Sequence, residues 1–246
     1  MADLLPRDRL IVALDVSTPA EAERLIGSLV SVTSFKVGTQ LFTAAGPEMV
    51  RRLARNRSVF LDLKFHDIPT TVASAVRAAG GLGVKMLTVH ASGGSRMMKA
   101  AVEAWQGTPR PLVLAVTVLT SLRDEDMAEI GVSGRVLDQT LRLAALAKAC
   151  GCDGVIASPR EVAELRREMG EGFVIVTPGI RPAGSAAGDQ ARAATATEAI
   201  EAGANYLVVG RPVTEAPIPG KAAGELFNEI ADVLKQQERR ARPYGA

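Results

Sequence analysis

The segment Asp62-Leu63-Lys64-Phe65-His66-Asp67 sets two carboxylates and an ammonium directly after the apolar run Val59-Phe60-Leu61. Side chains alternate faces along a strand, so a strand through this segment points Asp62 and Lys64 the same way. Asp67 falls just beyond, where Ile68-Pro69 breaks the ladder and Thr70-Thr71 can open a helix. Charges removed from water are costly unless they are paired or put to use. One reading is a satisfied ion-pair network at a strand end. The other is a chemical centre, and charge at such strand ends is where α/β proteins keep their chemistry. Carboxylates on both sides favour the charged form of Lys64, whereas a Schiff base needs a neutral amine. Lys64 therefore reads as a proton donor.

The elements that must carry this segment repeat along the chain. Apolar runs over 9–15, 34–38, 58–64, 84–90, 111–117, 154–158, 173–177 and 206–210 read as strands. Helical patterns follow them, over 19–30, up to about 56, 70–79, 93–105, up to about 150, 159–169, 194–202 and 221–236. An excursion over 120–135 holds the acidic group Asp124, Glu125 and Asp126, and a Gly/Ala-rich loop covers 182–192. Eight strand–helix units in 246 residues predict an α/β fold, a single-domain (β/α)8 TIM barrel over 1–246, with a solvated, flexible tail from about 237. The strands are near-continuous apolar runs, as parallel strands covered on both faces should be. An open doubly wound sheet is the rival. Its glycine fingerprint after the first strand is replaced by Asp15-Val16-Ser17-Thr18-Pro19.

A barrel keeps its site at the C-terminal ends of its strands. Those ends carry Asp15, Lys36, Asp62 with Lys64, His90, the run from Thr117 to Thr120, Ser158, the run from Thr177 to Arg181, and Gly210-Arg211. Thr177-Pro178-Gly179-Ile180-Arg181 and Val209-Gly210-Arg211-Pro212 follow strands seven and eight, the usual phosphate pocket of the fold. Glycines there admit backbone N–H groups to an anion, and an Arg fork matches its oxygens. The alternative for both arginines is a surface salt bridge. Lys36 and Asp15 suit sugar hydroxyls or a mutual ion pair across neighbouring strands. His66 and His90 read as neutral packing residues or supports of the site.

Composition narrows the classes. Hydrophobic residues make up 47% and charged residues 23%, and 29 basic residues stand against 27 acidic ones. That balance gives no electrostatic reason to expect nucleic acid or a membrane surface as partner. No apolar run approaches the roughly 18 residues a bilayer span needs. The N-terminus lacks the basic-then-apolar order of a signal peptide, so a cytoplasmic protein is expected. Cys150 and Cys152 read as a reduced structural pair.

Taken together, Asp62-x-Lys64-x-x-Asp67, Asp15, Lys36, the Thr177–Arg181 run, Gly188-Asp189-Gln190 and the Val209–Pro212 run closely resemble the orotidine 5′-phosphate decarboxylase family in its bacterial form, from about Arg9 to Leu234. The resemblance implies decarboxylation of orotidine 5′-monophosphate to uridine 5′-monophosphate in pyrimidine biosynthesis, with no cofactor and no metal. It implies that Asp62 lies against the departing carboxylate and that Lys64 protonates C6. Asp15 and Lys36 would bind the ribose, with Lys36 also in the charged group. Thr120, or Ser121 beside it, would meet the pyrimidine edge. Gln190 would bridge base and phosphate, while Arg181, Gly210 and Arg211 take the phosphate. It further implies a homodimer in which Asp67 and Thr71 reach the neighbouring subunit's site, and closure of the 182–192 loop over the substrate. Two rivals stay open. A 3-keto-gulonate-6-phosphate decarboxylase of the same superfamily shares the Asp-x-Lys-x-x-Asp element but uses Mg²⁺ and a Glu where Lys36 stands. A non-catalytic phosphate-ligand-binding barrel would leave the charged Lys64 segment unexplained.

Overall fold

The structure is a computed structural model that describes residues 4–182 and 194–241. After a single helical turn, α1 (Pro6–Arg9), eight parallel strands close into a barrel in sequence order, the eighth pairing back onto the first. The strands are β1 (Leu10–Ala13), β2 (Ser34–Gly38), β3 (Ser58–Phe65), β4 (Met86–His90), β5 (Leu112–Val116), β6 (Gly154–Ile156), β7 (Val174–Pro178) and β8 (Tyr206–Val209). The helices between and after them are α2 (Pro19–Ser28), α3 (Thr39–Ala54), α4 (Pro69–Gly80), α5 (Gly94–Glu103), α6 (Asp124–Glu129), α7 (Val136–Ala149), α8 (Val162–Met169), α9 (Ala196–Glu201), α10 (Arg211–Thr214) and α11 (Pro219–Ala241). The expected barrel is the observed one.

Two apolar layers hold it. Inside the barrel, Ile11, Phe60, Met86, Leu114, Val176 and Val208 pack against one another. Alternate residues such as Leu10, Val12, Leu61 and Leu87 point outward into the larger layer beneath the helices. Both strand faces are thereby dry, which is why the strands read as unbroken apolar runs. Helix starts follow local chemistry. Thr18 caps α2 by accepting the Glu21 amide at 3.2 Å, while Glu21 returns a carboxylate to the Thr18 amide at 3.2 Å.

Differences from the sequence reading are local. α3 is broken at Gly46, whose φ of 69° lets Pro47 restart the helix. The acidic group at 124–126 opens α6, where Asp126 accepts the Arg123 amide at 2.7 Å. α11 runs on through Ala241, so residues placed in the tail from about 237 continue the helix to that point. The turns α1 and α10 have four residues each, too few for an apolar period to show. Among the described residues no helix is long and apolar enough to cross a membrane. Cys150 and Cys152 are buried free thiols, and burial pushes the Cys152 thiol up to about 12.

Candidate active site

β2 and β3 lie side by side with Lys36 opposite Phe60 and Gly38 opposite Asp62. This register brings four charges into one row above the barrel interior. Lys36 Nζ donates to Asp15 Oδ1 at 2.8 Å and stands 3.7 Å from Asp62 Oδ2, and Lys64 Nζ donates to the same Asp62 oxygen at 2.8 Å. The order is acid, base, acid, base. The inner side chains are the drier ones: Lys36 is 11% and Asp62 12% exposed, against 36% for Lys64 and 51% for Asp15. Gly38 lies close against the row: a Cβ there would sit 2.9 Å from Lys36 Nζ and 3.0 Å from Asp15 Oδ1, and would push these side-chain ends aside.

Burial works to raise the Asp62 carboxyl. The charges of Lys36 and Lys64, with hydrogen bonds from Lys64 and Thr88, outweigh it and hold the group below its ordinary value. Asp62 is therefore ionised throughout the physiological range.

The strand does not reach Lys64 in regular form. Pairing of β3 with β4 breaks register between Leu61 and Phe65, and Lys64 has φ of 51°, the left-handed region that side chains rarely adopt. Asp62 and Lys64 meet as expected, but across a bulge rather than by simple alternation. Thr88 fills the gap: its hydroxyl accepts the Lys64 amide at 2.9 Å and donates to Asp62 Oδ1 at 3.0 Å. Thr88 is a site residue that no sequence motif marks. Its one signal was a hydroxyl in the middle of an otherwise apolar strand, Met86-Leu87-Thr88-Val89.

Asp67 does not flank Lys64 within the chain. It is exposed, and its Oδ1 accepts the Ile68 amide at 2.6 Å. Among the described residues the acidic neighbour of Lys64 is Asp62 alone, so an alternating row replaces the expected lysine between two acids. Thr71, on the first turn of α4, is exposed as well, beside Ile68 at 65% exposure. His66 stacks on His90 with ring centres 5.3 Å apart. Burial, and then the charges of His66 and Lys64, hold His90 below the ordinary imidazole value against the pull of Asp62. His90 thus packs, as expected, whereas His66 covers it from an exposed position.

The row opens into a cavity of about 540 Å³ that is also lined by Thr120, Pro178, Gly179, Arg181, Gly210 and Arg211. One cavity therefore gathers Asp15, Lys36, Asp62, Lys64 and both arginines from the ends of five different strands. Of Thr120 and Ser121, only Thr120 lines it. Gly179 has φ of 84°, so the turn carrying Arg181 needs a glycine. Gly210 leaves its side open, with Ala13 Cβ at 3.7 Å as the nearest atom to a Cβ built there. Gln190 and the rest of the Gly188-Asp189-Gln190 motif lie outside the described residues.

Chemically, the cavity pairs a fixed ammonium and a fixed carboxylate with two guanidinium groups suited to an anion. Residues 8–226 match the model of the "Orotidine 5′-phosphate decarboxylase / HUMPS family". The chain is 53% identical to an orotidine 5′-phosphate decarboxylase of Halorhodospira halophila, over 91% of this chain and 96% of the relative. A protein of the same name from Moorella thermoacetica is 51% identical over 91% of this chain and 92% of its own. Among solved structures, orotidine 5′-phosphate decarboxylase from Lactobacillus acidophilus superposes with a TM-score of 0.81 at 39% identity, covering 90% of this chain and 98% of that one.

Proposed function

The chain belongs to the orotidine 5′-phosphate decarboxylase / HUMPS family, and from that premise we propose that it decarboxylates orotidine 5′-monophosphate to uridine 5′-monophosphate and CO2 in pyrimidine biosynthesis, using Lys64 as the proton donor and no cofactor. The observation that carries the reading is the row Asp15–Lys36–Asp62–Lys64 inside a cavity shared with Arg181 and Arg211.

Loss of CO2 from C6 leaves an electron pair in the plane of the ring, where the π system cannot spread it. Stabilisation must then come from a charge already in place. Lys64 supplies that charge and then transfers its proton to C6. Asp62 sits against the substrate carboxylate. Two carboxylates at about 4 Å repel by about 4 kcal/mol at an effective dielectric of about 20, and the repulsion vanishes as neutral CO2 leaves. Lys36 and Asp15 hold the ribose, Thr120 meets the pyrimidine edge, and Arg181, Gly210 and Arg211 bind the phosphate, with Gln190 joining base and phosphate. Binding energy from the phosphate, remote from the bond that breaks, helps order the site.

The metal-dependent rival in the same superfamily needs a cation beside this aspartate. Here Lys36, where the rival has a Glu, places an ammonium 3.7 Å from Asp62, and that charge would repel Mg²⁺. The test is the loss of orotidylate absorbance with purified protein in EDTA. Undiminished turnover supports the reading; a strict demand for a divalent ion refutes it.

Asp67 and Thr71 serve the neighbouring subunit's site in a homodimer. Their exposure, together with the turn of Asp67 away from its own Lys64, supports this. Mixing inactive Lys64→Ala and Asp67→Ala dimers should restore activity as subunits exchange and one intact site forms. Demonstrated exchange without recovery would count against shared sites.

A further inference from the structure

We propose that Thr88 is a positioning residue for the decarboxylation, its hydroxyl locking the Asp62 carboxylate and the Lys64 main chain into one unit. The inference rests on the reading of Asp62 and Lys64 as the reacting pair.

The direction of the bridge is fixed by chemistry. An amide N–H can only donate and an ionised carboxylate can only accept. The single Thr88 proton must therefore go to Asp62 Oδ1, at 3.0 Å, and its lone pair must take the Lys64 amide, at 2.9 Å. Thr88 is completely buried, so no bulk water competes for either bond. It shares a strand face with Met86, an interior residue two positions before it, and so points into the barrel beneath the charged row.

Each bond answers a local need. The bulge in β3 costs Lys64 its regular ladder pairing, and φ of 51° is a strained conformation for a non-glycine residue. The Thr88 hydroxyl gives the orphaned amide a buried partner in that conformation. On the carboxylate, Oδ2 already faces both Lys64 Nζ and Lys36 Nζ, leaving Oδ1 to Thr88. The two contacts become decisive when Lys64 hands its proton to C6. The amine is then neutral and its attraction to Asp62 falls. The Thr88 bond keeps the carboxylate in place, ready for reprotonation of Lys64.

Thr88→Val keeps shape and removes the hydroxyl, and Thr88→Ser restores it. Bonds to charged groups of this kind convert to about a 10- to 100-fold change in rate. Thr88→Val should lose about that factor in kcat for orotidine 5′-monophosphate with little change in KM. The acid limb of its kcat profile should move to higher pH, because Asp62 loses a bond to its ionised form while Lys36 and Lys64 remain. Thr88→Ser should recover most of the rate and return the limb. If Thr88→Val does not fold, Thr88→Cys, a far weaker donor, is compared with Thr88→Ser: kcat well below that of Ser supports the bridge, and equal kcat overturns it. Folded Thr88→Val with wild-type kcat and an unmoved acid limb overturns the inference alone, provided Lys64→Ala is inactive. Wild-type protein without orotidylate turnover takes both readings down.

Discussion

The two ends of the barrel handle buried polarity in opposite ways. At the N-terminal end, Arg166 on α8 spends its donors on main-chain and amide oxygens: Gly203 O at 2.7 Å, Gly170 O at 2.6 Å, Phe173 O at 2.9 Å and Asn205 Oδ1 at 2.7 Å. Asn205 Oδ1 also accepts the Ile175 amide at 2.8 Å, and Asp153 accepts that of Val113 at 2.8 Å while pairing with Arg110. These groups stitch a helix or loop to the start of a strand. At the C-terminal end, Asp15, Lys36, Asp62 and Lys64 are satisfied mainly by one another, beside an open cavity and on a strained backbone. Polar groups committed to the backbone hold a fold together. Polar groups committed to each other, next to empty space, are ready to exchange partners with a ligand.

The sharpest way to break this contrast is Lys64→Ala. It should lower kcat by at least about 10³-fold, combining the loss of a fixed charge and of a proton donor, yet leave thermal stability near wild type and product nucleotide still bound. Stopped assays with isothermal titration check both halves, and near-normal turnover would erase the distinction. Arg166→Met should do the reverse. Orphaning its acceptors should cost about 3 kcal/mol of stability, or about 6–12 °C in Tm, while kcat per folded molecule holds; calorimetry beside active-site titration separates the two. Arg211→Ala belongs to the rim and should cost about 10- to 100-fold in kcat/KM for the phosphorylated substrate and far less for the bare nucleoside. Equal losses would remove Arg211 from the phosphate site.

The smallest effect is one of pH. His90 is held below its ordinary value of 6.5, so between its folded value and 6.5 the unfolded chain binds more protons and stability rises with pH. Wild type should lose stability as pH falls below 6.5, and His90→Gln should lose less, as urea unfolding across that window would reveal. Asp62, also held below its ordinary 3.8, adds a second loss only at stronger acidity, when pH falls through its folded value.

Much of the rim was legible in the sequence because a parallel barrel converts strand ends into a site. β2 occupies Ser34–Gly38 as read, and the charges at Asp15, Lys36 and Asp62 fall where strand counting puts them. What was hidden is what tertiary pairing creates. The left-handed Lys64 has no residue-type signature, since lysine does not advertise positive φ. Thr88 passes for an ordinary strand residue until β3 and β4 are brought together. The Arg166 clasp joins residues up to 39 positions apart, and an arginine on a surface-like helix gives no hint of it.

The central claim is that a fixed Lys64 ammonium meets the carbon that loses CO2, and a crystal structure with uridine 5′-monophosphate bound tests it most directly. Lys64 Nζ should lie within hydrogen-bonding reach of C6, still paired to Asp62, with Arg211 on the phosphate. Lys64 Nζ directed away from C6, with another group in its place, would contradict it.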